Sequence, residues 1–207
     1  MNKLVTIIDY NVGNILNVAR AFKFIGCEVK IVQTATEIGV TDLLVLPGVG
    51  SFSSGMLELE KRGFVEYLNE YHRHQKKNLM GICLGMQMLF ENSLEHGESK
   101  GLGFLAGQVV KIPNQNIQGR KFPVPHVGWK KMQSHQSADK DEGTVYFVHS
   151  YFVENAPEEI ISTSITYGDV KIPAVVKKDN IIGFQFHPEK SAEYGLALLK
   201  KSILSLK

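Results

Sequence analysis

The first half of the chain alternates short apolar runs with amphipathic stretches. The apolar runs predict four buried strands, at residues 3–9, 28–32, 42–50 and 78–83. After the first run, apolar side chains recur with helical spacing over residues 15–25, between a capping residue, Asn14, and a stop at Gly26. A second helix is predicted at residues 64–76. This alternation of strand and helix predicts an α/β fold with a mostly parallel central sheet flanked by helices.

The second half of the chain is dominated by strand-like segments that follow one another closely. They lie at residues 107–112, 144–153, 159–167, 172–178 and 181–186. We interpret them as an antiparallel extension of the sheet, closed by a helix at residues 192–206. Polar stretches at 113–125 and 133–143 are predicted to be surface loops. The pattern changes near residue 105 without a linker, so we predict a single domain over residues 1–207.

Composition excludes several classes of protein. The 207 residues are 43% hydrophobic, which is enough for a sizeable core, and the formal net charge is only +2, without a dense basic run that would indicate nucleic-acid binding. No apolar run is long enough to span a membrane, and Asp9 interrupts the N-terminal run, which is untypical of a signal peptide. The only cysteines, Cys27 and Cys83, do not make a disulfide framework. We expect a reduced, cytoplasmic protein, and we predict neither a cofactor nor a metal site.

Cys83 stands between two glycines, in the sequence GICLG, where a predicted strand turns into a predicted helix. This G-x-C-x-G pattern is typical of a nucleophile elbow, in which a sharp turn exposes one reactive side chain. Backbone N–H groups at the start of the helix would stabilise negative charge at the same point. The alternative is that Cys83 is a small buried hydrophobic residue, the common fate of a cysteine. Cys27 has no comparable setting and is predicted to be structural.

His187 and Glu189 form the second chemical pattern. They follow the apolar strand IIGFQF, at the carboxyl edge of the sheet, where ligands gather in open α/β folds. Pro188 favours an extended conformation at His187, so residues 187 and 189 would face the same side. A nucleophile, a base and a carboxylate that orients the base make up a catalytic triad. The alternative is a His-Pro turn with a surface glutamate.

Three segments in this order, PGVGSF, GICLGMQ and GFQFHPEKS, resemble the motifs of the class I (triad-type) glutamine amidotransferases, and the resemblance covers essentially the whole chain. That family has a flavodoxin-like α/β fold. Four further segments, DYNVGN, PHVGW, YFVHSY and the KS after HPE, are most similar to the glutaminase subunits of imidazole glycerol phosphate synthases.

The resemblance implies a role for each matching residue. Cys83 would attack the side-chain amide of glutamine, His187 would transfer the proton, and Glu189 would orient His187. The backbone N–H groups of Gly50 and Leu84 would form the oxyanion hole. The glutamine-binding residues would be Gln87, His149, Ser150 and Tyr151.

The resemblance also implies a partner, the (β/α)₈-barrel cyclase subunit of the synthase, to which ammonia would be channelled for histidine biosynthesis. The partner interface and ammonia exit would include Asn14, Trp129, Tyr146 and Lys190. Val127 and Lys130 depart from the family pattern PHMGWN in this region. The departures leave open an alternative: a paralogous glutaminase subunit that serves a sugar-amidating synthase of surface polysaccharide biosynthesis.

The PGVG turn is predicted to act as a switch. Gly48 and Gly50 flank Val49 and would let the adjoining peptide planes rotate at little steric cost. In one orientation a carbonyl would face the oxyanion, and in the other an N–H group would stabilise it. We therefore expect the isolated chain to hydrolyse glutamine slowly, and the partner together with its cyclase ligand to raise the rate.

Overall fold

The computed structural model describes residues 3–73, 77–135 and 142–205. The strands are β1 Leu4–Ile8, β2 Glu28–Val32, β3 Leu43–Leu46, β4 Leu79–Ile82, β5 Phe90–Ser93, β6 Ser99–Lys100, β7 Leu105–Lys111, β8 His126–Lys131, β9 Gln133–Ser134, β10 Thr144–His149, β11 Tyr151–Glu154, β12 Ile161–Tyr167, β13 Val170–Lys178 and β14 Ile181–Phe184. The helices are α1 Ile15–Phe24, α2 Phe52–Lys61, α3 Phe64–Arg73, α4 Leu84–Met88 and α5 Ala192–Leu204.

Within the described residues, eight strands form the central sheet, in the order β2-β1-β3-β4-β14-β13-β12-β9. The first five strands in this order run parallel to one another, and the last three are antiparallel to their neighbours. This confirms the predicted fold class, and the parallel half has the strand order of flavodoxin-like sheets. Because β3, β4 and β14 are adjacent and parallel, the PGVG turn, Cys83 and His187 all follow strands that end at one edge of the sheet.

The prediction was wrong about how far the central sheet extends. β10 pairs with β8 in a two-stranded ribbon, and β11 pairs with β7 in a separate sheet of order β11-β7-β5-β6. The segment 144–153, predicted as one strand, is broken at Ser150, and its two parts join different sheets. The reason is the pairing partner: β10 lies along residues 126–131, which the sequence pattern did not indicate as a strand.

The helices also differ in part from the predicted ones. Asn14 caps α1 as predicted, with its side chain accepting a hydrogen bond from the N–H of Asn17 at 3.3 Å. Helix α2 was not predicted, and α4 ends at Met88 because the chain immediately forms β5. Helix α3 is described as far as Arg73, so the predicted end at residues 74–76 lies outside the described residues. A predicted loop, 133–143, contributes the short strand β9.

Apolar side chains cover both faces of the central sheet. Helices α1 and α5 pack on one face, where Phe22 and Leu199 are fully buried, and α2 and α3 pack on the other, where Leu59 and Phe64 are fully buried. Burial on both faces explains why β1, β3, β4 and β14 are continuous apolar runs. None of the helices in the described ranges is long and apolar enough to cross a membrane.

Candidate active site

Cys83 occupies a strained turn between β4 and α4. Its φ of 53° lies in the left-handed region, which a residue with a side chain rarely adopts. Both neighbouring glycines are required by packing: a Cβ on Gly81 would lie 2.6 Å from Cα of Met86, and a Cβ on Gly85 would lie 1.7 Å from the carbonyl oxygen of Leu46. The turn therefore presses tightly against β3 and its own helix. Strain of this kind, at a side chain that lines a cavity, favours a functional role over a merely buried thiol.

His187 and Glu189 are in direct contact. Nδ1 of His187 lies 2.8 Å from Oε1 of Glu189, and their side chains are only 4% and 2% exposed. His187 is extended, and a short 3₁₀ turn follows from Pro188 to Lys190, which brings the carboxylate back to the imidazole. Because the carboxylate contacts Nδ1, Nε2 is the ring nitrogen that remains available for proton transfer. Nε2 of His187 is buried and makes no hydrogen bond within the described residues.

The pKa of His187 is strongly shifted. Burial by itself would lower this pKa, but interactions with the Cys83 thiol and the Glu189 carboxylate outweigh burial and raise the pKa to about 10. An imidazole with this pKa is cationic at neutral pH. His187 is therefore suited to hold a proton beside Cys83 and to give it to a leaving group.

The ribbon β8–β10 holds the His187 turn in place. The N–H of His187 donates to the carbonyl oxygen of Tyr146 at 3.1 Å. Ser191, fully buried, accepts from the N–H of Tyr146 at 3.0 Å and donates through Oγ to the carbonyl oxygen of His187 at 2.7 Å. One residue of β10 thus fixes both ends of the turn that carries the imidazole.

A cavity of about 280 Å³ opens beside Cys83. All of the predicted glutamine-binding and oxyanion residues line it: Gly50, Leu84, Gln87, His149, Ser150 and Tyr151. Glu95 also lines it and was not predicted; its carboxylate accepts a hydrogen bond from the N–H of Phe52 at 2.7 Å. Glu95 lies in a polar stretch between short strands, and nothing in that stretch distinguishes it from other surface acids.

Gln87 is held by two acceptors. Its Nε2 donates to the carbonyl oxygen of Tyr151 at 2.8 Å and to Oε1 of Gln185 at 3.0 Å. Gln185 is fully buried and was also not predicted. The signal was present in the sequence, since an amide between Phe184 and Phe186 in an apolar strand must find partners inside the protein.

Two neutral histidines are paired at the cavity: His149 lines it, and His126 contacts His149 from outside the lining. His149 is 2.9 Å from the carbonyl oxygen of Tyr151 through Nδ1, and its Nε2 is 3.1 Å from Nδ1 of His126. Burial, assisted by a neighbouring histidine, lowers the pKa of each to about 4; the neighbour is His149 for His126 and His187 for His149. A carbonyl only accepts, so neutral His149 must donate from Nδ1, and His126 must then donate to His149.

The PGVG turn closes the other side of the cavity. The N–H of Leu84, a predicted oxyanion donor, instead donates to the carbonyl oxygen of Gly48 at 3.3 Å. The hydroxyl of Tyr10 donates to the carbonyl oxygen of Pro47 at 2.6 Å, and a Cβ on Gly48 would lie 2.1 Å from that hydroxyl oxygen. A carbonyl of this turn therefore occupies the N–H group that an oxyanion would need.

The predicted interface residues lie next to the PGVG turn and the His187 turn. Trp129 is 51% exposed and packs edge-on against Tyr146, with ring centroids 5.8 Å apart. Lys190 is exposed directly after Glu189. Asn14 is exposed beside Gly13, whose position packs against Gly48.

Comparison with known proteins gives a consistent family. The model of the family "Glutamine amidotransferase class-I" matches residues 6–206. Proteins named imidazole glycerol phosphate synthase subunit HisH are similar to this chain: the one from Exiguobacterium sibiricum is 44% identical over 96% of this chain and 93% of its own, and the one from Bacillus velezensis is 41% identical over 95% and 93%.

Solved structures support the same fold. A glutamine amidotransferase crystal structure superimposes with a TM-score of 0.74 at 18% identity, covering 96% of this chain and 97% of its own. PurLQS from Thermotoga maritima gives a TM-score of 0.72 at 17% identity, with full coverage of both chains. The chain belongs to the class-I glutamine amidotransferase family.

Proposed function

We propose that this chain is the glutaminase subunit of an imidazole glycerol phosphate synthase. It would hydrolyse glutamine and pass the ammonia to a cyclase subunit in histidine biosynthesis. The observation that carries the proposal is the buried pair of His187 and Glu189, set beside Cys83, which lines a cavity. The names of the relatives support the histidine pathway, and nothing among them favours the sugar-amidating alternative.

In the first half-reaction, Sγ of Cys83 attacks the side-chain carbonyl carbon of glutamine, and the carbonyl electrons move onto oxygen. Cationic His187 gives its proton to the amide nitrogen, and the C–N bond breaks. Ammonia departs, and a glutamyl thioester remains on Cys83. Water then attacks the thioester carbon, and His187 takes one of its protons. The C–S bond breaks, which restores the thiolate and releases glutamate, whose carboxyl proton goes to solvent.

The cavity residues suit an amino-acid substrate. With Nε2 of Gln87 already donating to two acceptors, its Oε1 is the atom left to accept from the substrate. The carboxylate of Glu95 would attract the substrate's ammonium group, and the backbone from His149 to Tyr151 would contact its amino-acid end. Gln87 and Glu95 thus distinguish glutamine from a ligand without N–H groups.

The oxyanion hole requires a movement of the PGVG turn. The carbonyl that meets Leu84 belongs to the peptide between Gly48 and Val49. Because C=O and N–H point in opposite directions across a peptide, rotating that peptide would free the N–H of Leu84 and present the N–H of Val49. This geometry favours Val49 as the second donor, one residue before the predicted Gly50. Loss of one such donor costs roughly 10²–10³ in rate.

Ammonia transfer supplies the reason for the proposed interface. Free ammonia becomes ammonium in neutral water and loses its nucleophilic lone pair, so a sealed route to the cyclase preserves it. Asn14, Trp129, Tyr146 and Lys190 would line that contact, close to both the PGVG turn and the His187 turn. A reduced cytoplasmic setting suits a free thiol nucleophile.

The test is to replace Cys83 with alanine and to assay the complex with the cyclase. Glutamine-dependent synthesis should be lost, because no other group in the cavity can form the thioester, while synthesis from added ammonium salt should persist. Cys27→Ala serves as the matched control and should retain both activities. Glutamine hydrolysis by Cys83→Ala at the wild-type rate would refute the proposal.

A further inference from the structure

Gln185 connects the glutamine-binding residue to the nucleophile. Its side chain is fully buried directly after β14, and its Oε1 accepts from Nε2 of Gln87 at 3.0 Å. Its own Nε2 lies 3.9 Å from Sγ of Cys83, within the range of a hydrogen bond to sulfur. The backbone N–H of Gln185 donates to Ala174 on β13, which fixes the start of the side chain.

The direction of this chain of hydrogen bonds follows from one atom. The carbonyl oxygen of Tyr151 can only accept, so Gln87 must turn its NH₂ group toward it. The same NH₂ group then needs an acceptor on its other side, which makes Oε1 the end of Gln185 that faces Gln87. The NH₂ group of Gln185 is therefore left to face sulfur. If the Gln185 amide were reversed, its NH₂ group would face the NH₂ group of Gln87. If the Gln87 amide were reversed, its oxygen would face two acceptors, the carbonyl oxygen of Tyr151 and Oε1 of Gln185.

We infer that Gln185 is a further catalytic residue, which donates an N–H to the Cys83 sulfur and, through Oε1, sets the orientation of Gln87. A hydrogen bond to an ionised acceptor is stronger than one to a neutral acceptor, so this contact favours the thiolate over the thiol. His187 supplies a positive charge to the same sulfur. Gln185 supplies a neutral donor from inside the sheet, in a place that bulk water does not reach.

The inference rests on the proposed function, in that Cys83 is taken to be the nucleophile. Two variants separate the two ends of the amide. Gln185→Glu keeps an oxygen for Gln87 but turns an oxygen toward sulfur, whereas Gln185→Met removes both contacts at similar volume. Ser202→Ala is the matched control, because Ser202 is a buried side chain on α5 whose Oγ donates to the carbonyl oxygen of Leu198.

The experiment measures the rate of Cys83 alkylation by iodoacetamide against pH, in the full chain carrying Cys27→Ala so that a single thiol remains. Gln185→Glu and Gln185→Met should each slow alkylation at neutral pH by about tenfold, the effect of one hydrogen bond to a charged group. In the cyclase complex, Gln185→Glu should lower kcat by a similar factor with KM near wild type. Gln185→Met should also raise KM, and Ser202→Ala should change neither.

Wild-type alkylation rates and kcat in folded Gln185→Glu would overturn the inference. If either variant fails to fold, ¹⁵N-glutamine labelling of the otherwise wild-type chain decides: the side-chain amide of Gln185 should shift as Cys83 ionises and should not shift in Cys83→Ala. An amide unaffected by Cys83 overturns the inference. Alkylation does not depend on glutamine turnover, so loss of the proposed glutaminase activity is a separate outcome.

Discussion

The two walls of the cavity are built in different ways. On the nucleophile side, the side chains of Gln87, Gln185 and His187 are almost fully buried and held by protein groups at 2.8 to 3.0 Å. On the opposite side, Val49 is 41% exposed, and the peptide before it meets Leu84 through a longer contact of 3.3 Å. The wall on the nucleophile side is held in place by the core, whereas the PGVG wall, which would hold the oxyanion, lies on the surface.

This difference teaches where control of such an enzyme can act. A fully buried group has two states only if neighbouring side chains repack, which is costly in a close-packed interior. A glycine-flanked surface turn changes state by rotating one peptide. We therefore expect the partner to act on the PGVG side and to leave the hydrogen bonds around Cys83 and His187 unchanged.

The strongest test of this comparison is activation by the partner. The cyclase with its ligand should raise kcat for glutamine hydrolysis by at least about a hundredfold, the effect of completing one missing oxyanion donor. A steady-state glutaminase assay with and without the cyclase measures this factor. If the isolated chain already turns over at the activated rate, the PGVG turn is not the adjustable side.

A smaller effect is expected from the exposed aromatic on the ribbon. Trp129→Ala should weaken cyclase binding by about thirtyfold, since buried tryptophan anchors are worth about 2 kcal/mol or more at interfaces. The free energy of unfolding of the isolated chain should change by less than about 0.5 kcal/mol, as for other surface positions. Titration calorimetry and urea unfolding give the two values. Ile117→Ala, at another exposed apolar side chain, is the control and should bind as wild type.

The fixed side should respond to acid rather than to the partner. His126 and His149 have pKa values of about 4 in the folded chain, against 6.5 for an unperturbed histidine, so the unfolded state takes up protons first as pH falls. Stability should therefore fall between about pH 6.5 and about pH 4. His126→Phe should remove part of this fall, measured as the urea midpoint against pH. The nearby charges that help to lower these pKa values, Lys130 and His187, remain in the variant. An unchanged pH profile would contradict the neutral pair.

The smallest expected effect is at Lys190. Lys190→Glu reverses an exposed charge next to the His187 turn and should weaken cyclase binding by about fivefold, as for one solvent-exposed ion pair of about 1 kcal/mol. The comparison is Lys200→Glu, an equal charge reversal at an exposed position on α5. Equal binding by both variants would remove Lys190 from the proposed interface.

The sequence predicted the parallel half of the fold well because each element there carries its own pattern. Buried parallel strands are continuous apolar runs, and α1 has both a capping asparagine and a terminal glycine. Helix α2 escaped prediction because it opens with a Phe-Ser-Ser-Gly stretch, which lacks helix-forming residues. The break at Ser150 escaped because the choice of pairing partner is decided by tertiary contacts and leaves no mark on a continuous apolar run.

The candidate site divides in the same way. Cys83, His187 and Glu189 could be proposed as catalytic residues from the sequence because each stands in a short motif. In such a motif, the neighbouring residues indicate the role of the reactive one. Glu95 reaches the cavity from a segment with no motif of its own. Gln185 stands inside a motif, but its contacts with Gln87 and Cys83 arise only when the strands and α4 come together. The state of the PGVG turn was likewise beyond the sequence, since two glycines allow both peptide orientations and the observed one is set by the contact with Leu84.

The contact between Leu84 and Gly48 has a consequence for inhibitor design. Aldehyde analogues of glutamine add reversibly to a cysteine thiol and form a tetrahedral adduct, whose oxygen needs the donor that Gly48 now occupies. Such compounds would bind the resting chain poorly and the activated complex tightly. The difference in affinity would reflect the populations of the two peptide orientations in each state. Chloroketone or diazoketone reagents alkylate sulfur without needing that oxygen site and would lack this preference. The ratio of the aldehyde's affinities for the resting chain and for the activated complex would then report the fraction of molecules in which the peptide has rotated.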